Sequence, residues 1–281
     1  MRRLLILIPV CALLISPAAD KEGEKPVILD IKPFVDDGAK LPDAAGLEKL
    51  AAKDPVAFLE TCLRRYQREV KGYTCTMQKQ ERLGDKLQAK EIIALTCREK
   101  PLSVLLRWQE GQRLADAALY VDGENQEKQK NGLKSMMLVH PAGLAGKLVK
   151  SVSRDPEGEE AHSAGRYSLP DCGIEQGTQR TLTYMKAAKA AGQLKVEFLG
   201  EVTLPEAGGR ACYKLRRTKY ARPEEDGVTD LTIYVDKETW LQVGSVLKGD
   251  NDQYIAQYFF RDVKLNPEFT RETFAKEALT K

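Results

Sequence analysis

Two histidines, His140 and His162, are the only side chains in the chain whose ordinary titration lies near neutral pH. Nucleophilic catalysis needs such a base held next to a nucleophile by a third, orienting group. His140 precedes Pro141 at the end of a predicted strand, and His162 lies in the polar run Glu159-Glu160-Ala161-His162-Ser163. Neither has a partner at a diagnostic spacing, and no Cys-x-x-Cys or His-x-x-x-His pattern offers a zinc site. The acidic pairs Glu159-Glu160 and Glu224-Glu225 fall in predicted loops and read as solvated charge. Carboxylates able to do acid–base work belong on rigid elements facing a cleft, which leaves Glu81, Glu91 and Glu197 open as candidates. No glycine-rich loop joins a strand to a helix, so nucleotide binding has no support. The residues motivate no enzyme, no cofactor and no metal.

The cysteines are the other reactive group. There are six, and five remain once Cys11 leaves with the N-terminal segment described below, so at least one is unpaired within a single chain. Cys75 and Cys97 lie on the two predicted strands of one hairpin. A two-residue Gly84-Asp85 turn places them on opposite faces; a three-residue Gly84-Asp85-Lys86 turn places them diagonally on the same face. A Cys75–Cys97 disulfide and five buried apolar fillers both stay open.

The elements that must position these groups follow a signal. Arg2-Arg3, an apolar run from Leu4 to Ile15, and Ser16-Pro17-Ala18-Ala19 form the charged, apolar and small-residue order of a secretory signal, assigned to residues 1–19. The run is too short for a permanent span, which takes roughly 20 apolar residues. The mature protein is therefore expected in the periplasm or outside the cell, with no transmembrane span. Whole-chain charge is +3, from 44 basic and 41 acidic residues. Without Arg2 and Arg3 the balance is 42 to 41, or +1, which gives nucleic acid nothing to bind. Arg216-Arg217 with Lys219 and Arg222 reads as a solvated strand edge.

Residues 20–46 are polar and read as a flexible leader. Asp54-Pro55 is a capping carboxylate followed by a proline suited to the first helical position. Behind it Phe58, Leu59, Cys62, Leu63, Tyr66 and Val70 recur at helical spacing, predicting an amphipathic helix that stops near Lys71-Gly72. Period-two alternation then predicts strands over 73–82, 87–98, 103–108, 117–122, 134–140 and 147–153. A second helix is expected over 178–191, followed by strands over 194–204, 210–220, 230–236, 240–247 and 253–264. About ten strands with hairpin-length connections and two main helices argue for an α+β fold, one large, strongly curved antiparallel sheet. Val104, Leu106 and Trp108 alternate on one face. With Phe198, Trp240, Tyr254, Tyr258 and Phe260 they are the candidate lining of whatever the sheet and helices enclose, be it a filled core or a ligand cavity.

Further residues carry a resemblance. Tyr73-Thr74-Cys75-Thr76-Met77 with Gln80-Glu81-Arg82, Lys100-Pro101-Leu102-Ser103-Val104, Tyr120-Val121-Asp122-Gly123 and Gly165-Arg166-Tyr167 resemble the bacterial domain-of-unknown-function family 1571. Gly209-Arg210-Ala211-Cys212-Tyr213, Tyr234-Val235-Asp236 and Tyr258-Phe259-Phe260-Arg261-Asp262-Val263-Lys264-Leu265-Asn266 continue the pattern, over about residues 55–275. That family is similar to the periplasmic lipoprotein-carrier (LolA-like) superfamily. The resemblance implies an incomplete antiparallel β-barrel around helices, a single LolA-like domain over 47–281, and an apolar cavity that in the carriers receives acyl chains. Gln242 stands where the family's turn has proline, and Ser168 follows Tyr167 where proline is common.

The expectation is a non-enzymatic envelope protein that shelters a lipid or lipoprotein acyl chain between the sheet and the helices at 55–70 and 178–191. The rivals are an envelope module with a packed core that binds a protein partner, and a hydrolase.

Overall fold

A computed structural model of the protein describes Leu29 and residues 31–130, 132–218 and 227–280. The segment read as a secretory signal, most of residues 20–30, and Lys219 and Arg222 lie outside the described residues. Helix α1 (Ala44–Lys53) starts where the Asp43 carboxylate accepts the Gly46 N–H at 2.7 Å. Helix α2 (Pro55–Glu69) starts as its sequence predicts, with Pro55 in the first turn and Asp54 accepting the Ala57 N–H. Its apolar side buries Phe58, Leu59, Cys62, Leu63 and Tyr66.

The described part of the segment read as a leader makes contacts with two helices. Arg64 and Arg68 on α2 pair with Asp37 and Asp36 at 2.7 and 2.6 Å, and the Phe34 N–H donates to Gln179 Oε1. Apolar residues are too sparse in this stretch to signal structure, and what holds it is charge supplied by a helix.

Fourteen strands follow among the described residues: β1 (Gly72–Leu83), β2 (Lys86–Leu87), β3 (Glu91–Arg98), β4 (Ser103–Glu110), β5 (Ala115–Val121), β6 (Gln126–Gln129), β7 (Gly132–Ser135), β8 (Met137–Pro141), β9 (Val152–Arg154), β10 (Val196–Leu204), β11 (Arg210–Arg217), β12 (Asp230–Asp236), β13 (Gln242–Lys248) and β14 (Tyr254–Leu265). Three helices interrupt them: α3 (Gly143–Leu148), α4 (Glu159–Ala164) and α5 (Ile174–Ala190). All strands but β6 and β7 form one antiparallel sheet in the order β10-β11-β12-β13-β14-β1-β3-β4-β5-β8-β9, with β2 attached to β1. Among the described residues the end strands β10 and β9 do not pair with each other, so the sheet is open there.

The span 147–153, predicted as one strand, divides: α3 takes its start, and only Val152–Arg154 pair, with Met137–Val139 of β8. Gly143, at φ 67°, turns the chain. Gly146 passes so close to the Pro141 carbonyl that a Cβ there would lie 2.1 Å from the oxygen. The start of α5 also escapes the periodicity. Its first N–H, on Ile174, is capped by the Tyr73 hydroxyl of β1 at 2.9 Å, and Gly173 lies at φ 130°, where a Cβ would meet that hydroxyl at 2.7 Å. A cap from across the molecule leaves no local signature.

The Cys75–Cys97 bridge is not formed, and both cysteines are buried free thiols, as are Cys62 and Cys212. The turn has two residues, with Leu83 opposite Lys86, yet Lys79 lies opposite Glu91, so one extra residue is taken up before β3. The shift brings Cys75, opposite Leu95, and Cys97, opposite Tyr73, diagonally onto one face.

That face, called inner here, carries the helices. Under α1, α2 and α5 it is packed: Phe58, Leu59, Leu63, Leu182 and Met185 meet Tyr213, Leu215, Ile233 and Ala256. On the outer face of β4, β5 and β8, Leu105, Leu119 and Leu138 are covered by the C-terminal residues Phe274, Ala278 and Leu279. On the remaining inner surface, Tyr66 of α2 and Ile174 of α5 pack against β1 and β3, and α4 and the loop leading to α5 stand over the strands toward β9.

Candidate functional site

Beneath that loop lies a cavity of about 420 Å³. Register aligns its wall strand by strand: Met77 lies opposite Ile93 and Phe260, Leu106 opposite Ala118, Ala118 opposite Val139, and Val139 opposite Val152. Leu106, Ala118, Met137 and Val139 form its apolar floor, and Ala161, Ala164 and Leu169 belong to its roof.

Its other end is charged. Lys79 and Glu81 occupy the inner positions of β1 after Cys75 and Met77, where period-two alternation continues but apolar residues stop. The Lys79 ammonium lies 3.2 Å from both Glu81 and Glu91, and each of these residues is only 4% exposed. Tyr258 donates to Glu81 at 2.7 Å, and Trp108 Nε1 donates to Glu91 at 3.0 Å. Arg113 reaches Glu91 with Nε at 3.2 Å and donates to the Ala164 carbonyl at 2.8 Å, tying the roof to the charges. Burial alone would lower the Lys79 pKa; the two carboxylates outweigh it, so the ammonium is held above its ordinary value. Burial, helped by Glu81, raises the Tyr258 phenol well above its ordinary value and keeps it a donor.

A second cavity of about 70 Å³ continues between α5 and β13–β14 and shares Met77, Tyr167, Cys172 and Tyr258 with the first. Tyr167 stands between them, its ring 5.7 Å from that of Tyr258 and 3.6 Å from the Arg180 guanidinium. Cys172 faces both cavities, its thiol pushed up to about 11 by burial. At the seam between helices and sheet, Glu99 accepts a short hydrogen bond from Tyr66 and shares another with Glu175. Burial, with the nearby Glu175 carboxylate, raises Glu99 to about 7.

Of the eight candidate lining residues, Leu106, Trp108 and Tyr258 line the large cavity, and Tyr258 and Phe260 line the small one. Val104 is buried in the core beside them. Phe198 instead packs on Tyr213, 6.0 Å between ring centres, and Trp240 lies under the Arg65 guanidinium at 4.5 Å. Tyr254 begins β14, where its carbonyl accepts from Arg82. These three belong to the half of the sheet that the helices fill. The large cavity lies under residues 159–172 rather than under the helices at 55–70 and 178–191, and α5 covers only the small one.

Glu81 and Glu91 do face the cavity, but cations neutralise both, while Glu197 is exposed on the edge strand β10. His140 Nδ1 meets the Lys150 carbonyl at 2.8 Å, and His162 is exposed on α4. Lys79, Arg113 and Tyr167 are lining residues that periodicity did not single out. The available signal was the pair of charges at inner-face positions of β1.

No group of three metal-binding side chains and no helix long and apolar enough to cross a membrane occurs among the described residues. The profile of a family described as "Protein of unknown function (DUF1571)" matches residues 70–278. No curated protein matches the sequence. Among solved structures, the chain is similar to the MucA/MucB complex of Pseudomonas aeruginosa, with a TM-score of 0.43 and 13% identity, covering 79% of this chain and 60% of that one. It is similar to lipoprotein LppX of Mycobacterium tuberculosis (TM-score 0.38, 10% identity, 78% and 99% covered). It is also similar to a LolA superfamily protein of Nitrosomonas europaea (TM-score 0.31, 9% identity, 79% and 99% covered).

Proposed function

The chain belongs to the DUF1571 family, and we propose that it is an exported binding protein that shelters the apolar part of an amphiphile, a lipid or a lipoprotein acyl chain, under residues 159–172. One observation carries this reading: a cavity of about 420 Å³ with an apolar floor and a charged end. That volume is in the range of small-molecule sites, roughly 300–1,000 Å³. Burial supplies the affinity, about 0.8 kcal/mol per methylene, so a dozen methylenes contribute on the order of 10 kcal/mol before the costs of ordering and association. The Lys79, Glu81, Glu91 and Arg113 cluster offers hydrogen bonds to the polar end of the guest, and its charges cancel. Loading requires movement of the roof, which Arg113 tethers through Ala164.

The test is uptake of a fluorescent fatty acid by the purified protein, with native mass spectrometry for copurified lipid. Ala118→Trp, which fills the floor, is expected to lower uptake at least about tenfold while leaving the circular dichroism spectrum unchanged. Absence of both uptake and copurified lipid, or equal uptake by the variant, refutes the reading.

A further inference from the structure

Helix α3 buries none of its side chains. Leu144 is 78% exposed, Leu148 86% and Val149 44%, an arrangement with no packing role in the chain itself. The helix is nevertheless anchored by its backbone: Gly146 lies against the Pro141 carbonyl, and His140 meets the Lys150 carbonyl. It sits beside the cavity's rim. The Ala142 N–H donates to the Leu114 carbonyl at 3.1 Å, and Leu114, itself 58% exposed, lines the cavity with Pro141.

Charge supplies the second observation. Lys147 and Lys150, both exposed, flank the apolar residues. In a chain with 41 acidic residues among 281, the 27 residues from Lys128 to Arg154 contain six basic residues and no aspartate or glutamate. Exposed leucines interspersed with lysines, without acidic neighbours along the chain, suit a surface that is negatively charged outside and apolar just beneath.

We infer that α3 and Leu114 seat this protein on a bilayer containing anionic phospholipid, with the cavity rim at the lipid surface. The leucines enter the interface and the lysines meet the headgroups. The seat meets the cavity at its rim, through Leu114, and does not require the cavity to be occupied.

Flotation of the full mature chain with phosphatidylcholine vesicles, with and without phosphatidylglycerol, tests this. Binding is expected to the mixed vesicles at low salt and to fall as salt rises. Leu144→Ser/Leu148→Ser should weaken it at least about tenfold, and Lys147→Gln/Lys150→Gln roughly tenfold. Because these side chains are exposed, both variants should fold normally. Ala118→Trp should bind vesicles as the parent does, separating this seat from cavity binding. Failure to float with mixed vesicles, equal binding to both vesicle types, or equal binding by the leucine variant overturns the inference. So does a dimer that Leu144→Ser/Leu148→Ser converts to monomer, since that assigns the face to a second copy of the chain.

Discussion

The two halves of the inner face share one sheet and one pattern of alternation, yet one is packed solid but for about 70 Å³ under α5 and the other is hollow, with a cavity of about 420 Å³. Over β10–β14 the cover is α1, α2 and α5, and α2 alone contributes Phe58, Leu59 and Leu63, each at most 1% exposed. Toward β4–β9 the cover is α4 and a loop, and α4, six residues long, buries no side chain at all. Interiors reach close packing only when both layers supply side chains of matching volume. A short polar roof over an apolar floor leaves space, and the polar contacts of Lys79, Arg113 and Tyr258 keep that space from collapsing.

The largest effect that would test this contrast is at Lys79. Lys79→Met leaves Glu81 and Glu91 buried with one cation fewer and should cost roughly 3–5 kcal/mol of unfolding free energy in urea titration. A cost below about 1 kcal/mol would mean that the hollow half is wet enough to screen its charges, and the contrast would weaken. Next comes a matched pair of enlargements. Ala256→Leu, at a position with no exposure in the solid half, should lose about 1–3 kcal/mol by overpacking. Ala118→Leu, facing the cavity, should change stability by less than about 0.5 kcal/mol. Equal penalties would show that the hollow half is filled after all.

A pH-dependent effect sits at the seam, where Glu99 of the hollow half meets Tyr66 of α2 and Glu175 of α5. Its pKa is raised to about 7 in the fold, so between about pH 4.5 and 7 the folded state holds a proton that the unfolded chain has released. Stability contributed by this group is therefore greatest below that window and is lost as pH rises across it to 7, at no more than about 1.4 kcal/mol per pH unit. Glu99→Gln, which cannot ionise, should flatten the slope of melting temperature against pH across this window. An unchanged slope would place the titration elsewhere.

The elements that were legible are those whose cause is local. Asp54-Pro55 announces α2 because the cap and the proline act within one turn, and strands such as β3 and β12 alternate because one face of each is more deeply buried. Helix α1 hides in a stretch whose start reads as polar leader, and the described end of that leader is held by Arg64 and Arg68 from another element. The start of α5 depends on the Tyr73 hydroxyl, about a hundred residues away in the chain. The strand expected over 147–153 fails for a related reason: Leu148 and Val149 look like buried apolar residues and are instead exposed. Three of the candidate lining residues belong to the solid half, because alternation identifies which face a side chain takes but not what stands above it.

By itself the sequence determined the kind of protein this is: an α+β chain with a large antiparallel sheet, a helix entered at Asp54-Pro55, and a pattern that belongs to one family. Those properties follow from period, capping and turn chemistry, all of which act over a few residues. Only the tertiary structure decided where space remains, which cysteines stay apart, and which charges meet. Those outcomes depend on register shifts of a single residue and on how much volume a distant segment brings, and neither is written in any one stretch of the chain.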